Sequence, residues 1–278
     1  MAFTLANVGG RAALVRDGSW FDLERVSGGS LGSDPMAVIA EAGQLHRLAD
    51  SLGDHEPDGL LDGADLGAPV PRPGNSYGIG LNYRSHAAES NMELPENPLV
   101  FTKFPSCIVG PDSDVELRTE TGDYEVELVV VIGPGGRDIP ADRAWDHIVG
   151  VTCGQDISDR RLQFSAKPPH FDLGKSRDTY GPIGPVLVST DQFADPTQLD
   201  LSCTVNGEQR QSDNTRNLIF TVAELVAYLS SISTLRPGDV IFTGTPEGVG
   251  AASKNYLRPG DVIVSTVQGV GTMTNTCV

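Results

Sequence analysis

The sequence predicts an α+β fold that consists mostly of short β-strands, which close into a barrel or a rolled sandwich. Its 278 residues include 32 glycines and 19 prolines, and aromatic residues make up only 6%. This composition favours many turns and short strands over a helical bundle. Short apolar runs recur along the chain, and Gly, Pro, Asn and Asp residues separate them. Helical spacing is clearest in the segment Thr221–Ser233.

The first 68 residues are predicted to form a small N-terminal α/β domain. Residues 12–26 indicate two short strands around the Asp17-Gly18 turn, and apolar residues recur at helical spacing across residues 35–52. The segment Leu66–Ser76 contains three prolines, which neither continue a helix nor occupy a central strand. We therefore place a boundary there and assign residues 69–278 to a second, larger domain.

The second domain is predicted to consist mainly of strands. The apolar runs that indicate them lie at residues 97–104, 126–133, 147–158, 184–190, 201–207, 239–246 and 261–271. The sequence VNGE at residues 205–208 carries the Asn-Gly signal of a β-hairpin. The sequence LRPGDV occurs at residues 235–240 and again at 257–262, which predicts two equivalent turns.

Composition limits the classes of function. The formal net charge is -17 and no basic patch is concentrated in the sequence, so nucleic-acid binding is not expected. No apolar stretch approaches the roughly 20 residues of a membrane span, and the N-terminus lacks the pattern of a signal peptide. The four cysteines have no C-x-x-C spacing, as expected for reduced thiols. We therefore expect a cytoplasmic protein that binds neither nucleic acid nor membrane.

An acidic cluster precedes the most apolar strand. Asp123, Glu125 and Glu127 alternate along this strand, so their side chains point to one face. Like charges about 4 Å apart cost on the order of 4 kcal/mol per pair. The face is therefore either solvated or neutralised by a cation, and the buried run 128–132 favours the cation. Asp156 ends another apolar run, and oxygens from two strand ends suit Mg²⁺ or Mn²⁺.

Eight ordered blocks of sequence then indicate a family. They are GIGLNYRSHAAES, FTKFPSCIVGP, DYEVELVVVIG, DISDRRLQ, GKSRDTYGPIGP, VNGEQRQ, PGDVIFTGTPEGVG and GDVIVSTVQGVGTMTN. Together they resemble the fumarylacetoacetate hydrolase family from about Pro71 to the C-terminus. The resemblance implies a mixed β-sandwich roll, a homodimer, substrates that are 2-oxo acids or β-diketones, and one divalent metal. It places the metal ligands at Glu125, Glu127 and Asp156, and leaves Asp123 either behind these ligands or solvated.

His86 and Glu89 are a candidate pair for activating water. At a spacing of three residues on a helix they share a face, so Glu89 can orient His86. Such a pair is often only a surface pair. The resemblance implies instead a catalytic dyad on a lid, and the polar segment 90–98 suits a lid.

The resemblance implies roles for further residues. Lys175 would face the metal and stabilise negative charge on the substrate. Arg160 and Gln163 would contact a substrate carboxylate or oxo group. The other candidates for contact with the substrate are Tyr83, Lys103, Tyr180, Gly244 and Thr245.

Several positions depart from the commonest family pattern. Arg177 stands where relatives commonly carry an uncharged residue, and Asp159, Arg161 and Gln155 also differ. An additional arginine either binds a second acid group of the substrate or pairs with a neighbouring aspartate. The departures leave the substrate open and the metal ligands intact.

We expect hydrolytic C–C cleavage of an acylpyruvate-like or 2,4-diketo acid. In this scheme His86, oriented by Glu89, activates water, and the metal and Lys175 stabilise the enolate that leaves. Isomerisation of a 2-hydroxydienoic acid or decarboxylation of a 2-oxo acid, in aromatic or sugar-acid catabolism, is the alternative. A non-catalytic module with a structural Ca²⁺ is a more distant one.

Overall fold

The computed structural model describes residues 2–90 and 92–278. Most of its regular structure is β-strand. The strands are β1 Thr4–Val8, β2 Arg11–Arg16, β3 Ser19–Asp22, β4 Gly59–Leu60, β5 Leu66–Gly67, β6 Ser76–Gly80, β7 Leu99–Thr102, β8 Ile108–Val109, β9 Gly122–Asp123, β10 Val126–Ile132, β11 Ile148–Gln155, β12 Ser158–Asp159, β13 Gly181–Val188, β14 Asp200–Val205, β15 Glu208–Asn214, β16 Val240–Phe242, β17 Val262–Val267 and β18 Gly271–Thr276.

The α-helices are short and lie between the strands. They are α1 Leu23–Val26, α2 Pro35–Ala40, α3 Ala42–Ser51, α4 Arg84–Glu89, α5 Arg160–Gln163, α6 Val222–Ile232 and α7 Gly250–Ser253. Single turns of 3₁₀-helix cover Pro105–Cys107, Leu173–Lys175, Thr190–Gln192 and Thr215–Asn217, and a longer one covers Ala141–His147. Among the described residues, none of these helices has both the length and the apolar character that crossing a membrane requires.

A large mixed sheet forms the centre of the molecule. Within the described ranges it has twelve strands, in the order β4-β3-β2-β1-β13-β11-β10-β16-β6-β7, with β5 paired to β1 and β8 to β13. Most neighbours are antiparallel, whereas β16 pairs with β6 and β13 pairs with β8 in parallel. The central strand β10 is buried along its whole length because β11 and β16 flank it and both of its faces are covered.

A second sheet covers one face of the first. Its four strands run in the order β15-β14-β17-β18. Strands β14, β17 and β18 contact β10, β11 and β13 of the large sheet, so the two sheets form a sandwich. Along β17 the burial alternates, with Ile263, Ser265 and Val267 turned inward.

The N-terminal strands extend the large sheet. Strand β1 pairs with β13 through Thr4↔Val188 and Leu5↔Leu187, and it carries β2 to β5 on its other side. The first 68 residues therefore share a continuous hydrogen-bonded sheet with the rest of the chain. The division at residue 68 stays a prediction.

Four local predictions are confirmed. Both Asp17-Gly18 and Asn206-Gly207 have positive φ angles and connect hairpins, as a type I′ turn requires. The two LRPGDV turns are equivalent, because Asp239 accepts from the backbone N–H of Arg236 as Asp261 does from that of Arg258. Helix α6 begins after Thr221 with a capping box in which Glu224 is the partner.

The helical spacing predicted across residues 35–52 is confirmed, but the segment forms two helices. Helix α2 begins with Pro35 behind the cap residue Asp34, but the chain leaves helical geometry at Glu41 and starts again as α3. Gly43, a poor helix former, lies in the first turn of α3. The apolar spacing therefore continues across a break that spacing alone does not reveal.

Candidate active site

Three carboxylates meet where two central strands begin and end. Glu125 directly precedes β10, Glu127 lies on it, and Asp156 directly follows β11. The two strands are antiparallel, with Val126 opposite Gln155, so the start of one adjoins the end of the other. One oxygen from each of the three carboxylates lies within 4.8 Å of the others, and all three residues are buried. The strand pairing thus brings together the three acids that the sequence singled out.

Two lysines hold two of these carboxylates. Lys175 Nζ lies 2.6 Å from Glu125 Oε2 and 2.7 Å from Asp156 Oδ2. Lys103 Nζ donates to Asp156 Oδ1 at 2.6 Å and to the carbonyl of Tyr180 at 3.0 Å. Burial alone would lower the pKa of Lys103, but Asp156, together with Cys107 and Glu127, outweighs that effect and the pKa is raised. Lys103 therefore stays charged beneath the site.

Arg160 connects a fourth acid to the cluster. Its Nε lies 2.8 Å from Asp123 Oδ2 and its Nη2 lies 2.5 Å from Glu125 Oε1. Asp123 is fully buried and also accepts from the backbone N–H groups of Gly250 and Ala251. Of the two interpretations of Asp123, solvation is wrong. This carboxylate orients Arg160 behind the cluster.

Glu127 has fewer donors than its neighbours. Its Oε2 accepts from the backbone N–H of Gly244 at 2.7 Å. Burial, together with Asp156 and Glu125 nearby, raises the pKa of Glu127 well above its ordinary value. Glu125 differs, because Lys175 and Arg160 outweigh its burial and hold its pKa well below the ordinary range. The charged form of Glu127 therefore needs a further positive group.

The donor set fits a hard divalent cation. Among the described side chains at this site, four carboxylates face three cations, which leaves one formal negative charge uncompensated. The carboxylates are those of Asp123, Glu125, Glu127 and Asp156, and the cations are Lys103, Arg160 and Lys175. Mg²⁺ and Mn²⁺ prefer carboxylate oxygens, and such an ion would compensate the charge that raises the pKa of Glu127. Glu125, Glu127 and Asp156 are the residues that would hold it.

His86 and Glu89 form a second functional group on α4. His86 Nδ1 lies 2.7 Å from Glu89 Oε1, and Glu89 Oε2 accepts from the backbone N–H of Gly248 at 2.9 Å. With the proton on Nδ1, the Nε2 atom of the neutral ring remains an acceptor. The pair is largely buried, so it is not the surface pair that spacing alone allowed. The predicted lid, residues 90–98, includes Asn91, which lies outside the described residues.

His86, Glu89, Glu125, Arg160 and Lys175 line one cavity of about 480 Å³. Its polar wall includes His86, Glu89, Ser90, Glu125, Arg160, Gln163, Lys175 and Thr245. Its apolar wall includes Ile79, Leu81, Met92, Phe101, Phe164, Phe171 and Val249. A cavity of this size, with a few converging charged groups in an apolar wall, is typical of a small-molecule site.

The structure brings seven of the thirteen predicted residues to the wall of this cavity, and six lie outside it. Arg160 donates to Gln163 at 3.1 Å, and the hydroxyl of Thr245 donates to the carbonyl of Val126. Among the described residues, the wall does not include Tyr83, Lys103, Tyr180, Gly244, Glu127 or Asp156. Glu127 and Asp156 lie behind Glu125, within the carboxylate cluster. Lys103 and Gly244 instead support the carboxylates from behind, whereas Tyr83 and Tyr180 are buried.

Three of the four positions that depart from the family pattern have side-chain partners in the structure. Arg177 donates to Asp159 Oδ2 from Nε at 3.0 Å and from Nη2 at 2.8 Å, so it pairs with a neighbouring aspartate. Gln155 accepts from the backbone N–H of Glu125 and donates to Ser265, which connects the acidic cluster to the second sheet.

Sequence reasoning missed the apolar wall and one supporting amide. Phe101 and Phe164 lie within two residues of Lys103 and Gln163, and this proximity was a usable signal. Gln211 accepts from the backbone N–H of Val126 and donates to Thr245 and to the carbonyl of Pro246. It comes from a distant hairpin, and no local pattern marks it.

The sequence matches one family over most of its length. Residues 75–278 match the model of the fumarylacetoacetate (FAA) hydrolase C-terminal family. The chain belongs to the fumarylacetoacetate hydrolase family. The match begins at the end of the proline-rich segment and includes the residues of the candidate site described above.

Solved structures similar to this family member cover nearly its whole length. A crystal structure titled a "putative HpcE protein" from Mycobacterium smegmatis is 42% identical, has a TM-score of 0.94, and covers 100% of this chain and 99% of its own. A "probable 2-hydroxyhepta-2,4-diene-1,7-dioate isomerase" from Mycobacterium abscessus is 32% identical, with a TM-score of 0.85 and coverage of 100% and 98%. Maleylpyruvate hydrolase from Sphingobium sp. SYK-6, in complex with manganese(II) and pyruvate, is 28% identical, with a TM-score of 0.84 and coverage of 99% and 98%.

These likenesses confirm the predicted α+β fold with its mixed β roll. They also show that this fold is shared by proteins titled as a hydrolase and as an isomerase.

Proposed function

We propose that this protein is a divalent-metal-dependent hydrolase that cleaves a C–C bond in an acylpyruvate-like 2,4-diketo acid. The observation that carries the proposal is that the His86–Glu89 pair and the Glu125–Lys175 pair face the same cavity. One bound substrate can therefore contact both a general base and a group that binds its 2-oxo acid end. The manganese and pyruvate in the similar maleylpyruvate hydrolase support this choice.

His86 is proposed to activate water. Glu89 accepts a hydrogen bond from Nδ1–H of His86 and is itself held by the backbone N–H of Gly248, so Nε2 is free to accept a proton from water. The water oxygen bonds to C4 of the substrate, the C3–C4 bond breaks, and its electron pair passes to C3. C4 leaves as a carboxylic acid, and C3 of the remaining 2-oxo acid takes the proton held by His86.

Lys175, Arg160 and Gln163 are proposed to orient the 2-oxo acid end. Lys175 and Arg160 are charged and nearly buried, so they stabilise negative charge that develops on the substrate oxygens. When bound, a divalent ion supplies Lewis acidity and a template for oxygen ligands. We propose Mg²⁺ or Mn²⁺ for this position.

Product analysis in ¹⁸O-labelled water tests the reaction. The purified protein is supplied with Mg²⁺ or Mn²⁺ and with 2,4-dioxopentanoate. Hydrolysis places one solvent oxygen in the released acetate and yields pyruvate. The His86→Ala variant is expected to lose this activity, because no other group is proposed to accept the proton of water.

An isomerase is the second candidate, since the similar protein from Mycobacterium abscessus is titled as one. Isomerisation of a 2-hydroxydienoic acid incorporates no solvent oxygen and releases no second product. Decarboxylation of a 2-oxo acid releases CO₂. A non-catalytic metal-binding module shows no turnover that His86→Ala can abolish.

We also propose that the protein is a cytoplasmic homodimer and that residues 1–68 form a small N-terminal domain. Light scattering of the purified protein tests the dimer, and cell fractionation tests the location. Expression of residues 69–278 alone tests whether the larger unit folds without the first.

A further inference from the structure

Three phenylalanines form one continuous aromatic surface on the cavity wall. The rings of Phe101 and Phe171 lie 5.8 Å apart at 60°, and those of Phe171 and Phe164 lie 5.8 Å apart at 73°. Both are edge-to-face contacts, the arrangement that aromatic pairs favour. The three come from β7, from the residue after α5, and from the loop before Lys175. We call this set the phenylalanine wall.

The phenylalanine wall leads from the charged groups to the mouth of the cavity. Lys175 Nζ lies 5.2 Å from the ring centroid of Phe101, which is 7% exposed. Phe171 follows, and Phe164 at the far end is 55% exposed. A substrate whose 2-oxo acid end lies at Lys175 therefore extends its other end along these rings.

The wall is fixed in place by the fold. Asp172, beside Phe171, accepts from the backbone N–H of Thr102 at 2.7 Å and from its hydroxyl at 2.8 Å. These bonds attach the loop to β7 next to Phe101. A Cβ at Gly80 would lie 3.6 Å from the ring of Phe171 and 3.0 Å from Leu99, so little room remains behind the ring. The surface is therefore present before a substrate binds.

The basic groups of the cavity are already paired. Among the described residues of its wall, His86 is bonded to Glu89, Arg160 to Asp123 and Glu125, and Lys175 to Glu125 and Asp156. Arg177, the extra arginine of this sequence, pairs with Asp159. A second carboxylate held against the buried ring of Phe101 or the half-buried ring of Phe171 would be partly desolvated and would have no cation beside it, which is unfavourable.

We infer that the group beyond the reacting carbonyl is uncharged and apolar, an aryl or extended alkyl group, and that substrates with a second carboxylate are disfavoured. This inference rests on the proposed function, and it adds specificity residues: Phe101, Phe164 and Phe171 select the substrate by contact with its far end.

Three substrates with the same 2,4-dioxo acid end test the inference. They carry methyl, phenyl or 2-carboxyethyl at C4: 2,4-dioxopentanoate, 2,4-dioxo-4-phenylbutanoate and 2,4-dioxoheptanedioate. We expect kcat/KM for the phenyl compound to exceed that for the other two by at least about 10-fold, a typical discrimination by an apolar pocket. A dicarboxylate that is turned over as well as the phenyl compound overturns the inference.

Variants identify the residues responsible. Phe164→Ala and Phe171→Ala are each expected to lower the phenyl-to-methyl ratio of kcat/KM by about 2- to 12-fold, as for loss of one aromatic pair. Phe171→Leu keeps the apolar volume if the alanine variant fails to fold, and it should lower the ratio less. The control Phe104→Ala removes a similarly exposed ring, 45% against 55%, that lies outside the described wall, and it should leave the ratio unchanged.

The outcomes separate the two proposals. The inference is contradicted, and the proposed function kept, by either of two results. One is turnover of the methyl compound with no preference for the phenyl compound; the other is an unchanged phenyl-to-methyl ratio of kcat/KM in both alanine variants. No turnover of any of the three compounds contradicts the proposed function, and the inference with it.

Discussion

The side-chain nitrogen of Lys175 lies 2.7 Å from Oδ2 of Asp156, and both side chains are almost completely buried. Lys175 also bonds Glu125, so a single lysine pairs with two of the three carboxylates proposed to hold a metal. Charge on this face of the sheet is therefore balanced jointly by protein cations and by the proposed ion.

Lys175→Met is expected to destabilise the metal-free protein more than the metal-loaded one. Removing one partner of a buried ion pair costs about 3–5 kcal/mol, because the remaining charge is uncompensated. For a chain of this size that corresponds to a decrease of about 6–20 °C in Tm. Calorimetry in EDTA and in Mn²⁺ measures the two values. The exposed Lys254→Met is the control, and equal Tm losses in both buffers contradict the prediction.

Glu89→Gln is expected to lower kcat by about 10²-fold and to leave KM and Tm nearly unchanged. General acid–base catalysis typically contributes 10²–10⁴-fold, and the variant loses orientation of His86 but not the base itself. Steady-state kinetics with 2,4-dioxopentanoate measures the effect. A wild-type kcat in Glu89→Gln would show that the 2.7 Å contact between Glu89 and His86 is only structural.

Gly244→Ala is expected to destabilise the protein by more than Gly207→Ala. Both positions have positive φ angles, at +105° and +78°, so alanine is strained at each. A Cβ at Gly244 would also lie 2.7 Å from that of Asn82, whereas a Cβ at Gly207 meets nothing within 4 Å. Backbone strain costs about 1–2 kcal/mol, and crowding adds about 1–3 kcal/mol at Gly244 only. Urea unfolding of the two variants measures the difference, and equal midpoints contradict this account.

The four cysteines are expected to be unreactive in the native protein. All four are buried and free, and burial raises the pKa of Cys203 and of Cys277 to about 12. The unfolded thiols titrate near pH 8.5, about where a free cysteine does. The contribution of the buried, protonated thiols to the free energy of unfolding is therefore fully present below about pH 8.5 and is lost as the pH rises towards 12. Titration with a thiol reagent at pH 8 should count none in buffer and four in guanidinium, and rapid labelling in buffer contradicts the prediction.

Much of the site was predictable because its signals are local. The alternation of acids ahead of a fully apolar run indicated Glu125 and Glu127, and an apolar run that ends in an acid indicated Asp156. Antiparallel pairing of β10 with β11 then brings the start of β10 next to the end of β11. Hairpins at Asp17-Gly18 and Asn206-Gly207 were predictable for the same reason, since turn chemistry is encoded in two residues.

The remainder depends on contacts between distant parts of the chain. The position of Lys103 beneath Asp156, 53 residues away, is set by the sheet order and leaves no local signal. The phenylalanine wall combines residues from β7 and from the loop after α5, and the pairing of Arg177 with Asp159 was one of several possibilities. The break at Glu41 shows that apolar periodicity survives a change of backbone geometry.

Binding of Mn²⁺ to the EDTA-treated protein, measured by calorimetry, tests the central claim most directly. Wild type is expected to bind one ion per chain. Loss of a residue that only hydrogen-bonds to a metal ligand typically weakens metal binding by about 10- to 100-fold. Glu127→Gln and Asp156→Asn remove ligands, so each should weaken binding by more than about 100-fold. The exposed Glu208→Gln is the control and should bind as wild type does. Wild-type affinity in both site variants, or no binding by wild type, would contradict the assignment of Glu125, Glu127 and Asp156 as a metal site.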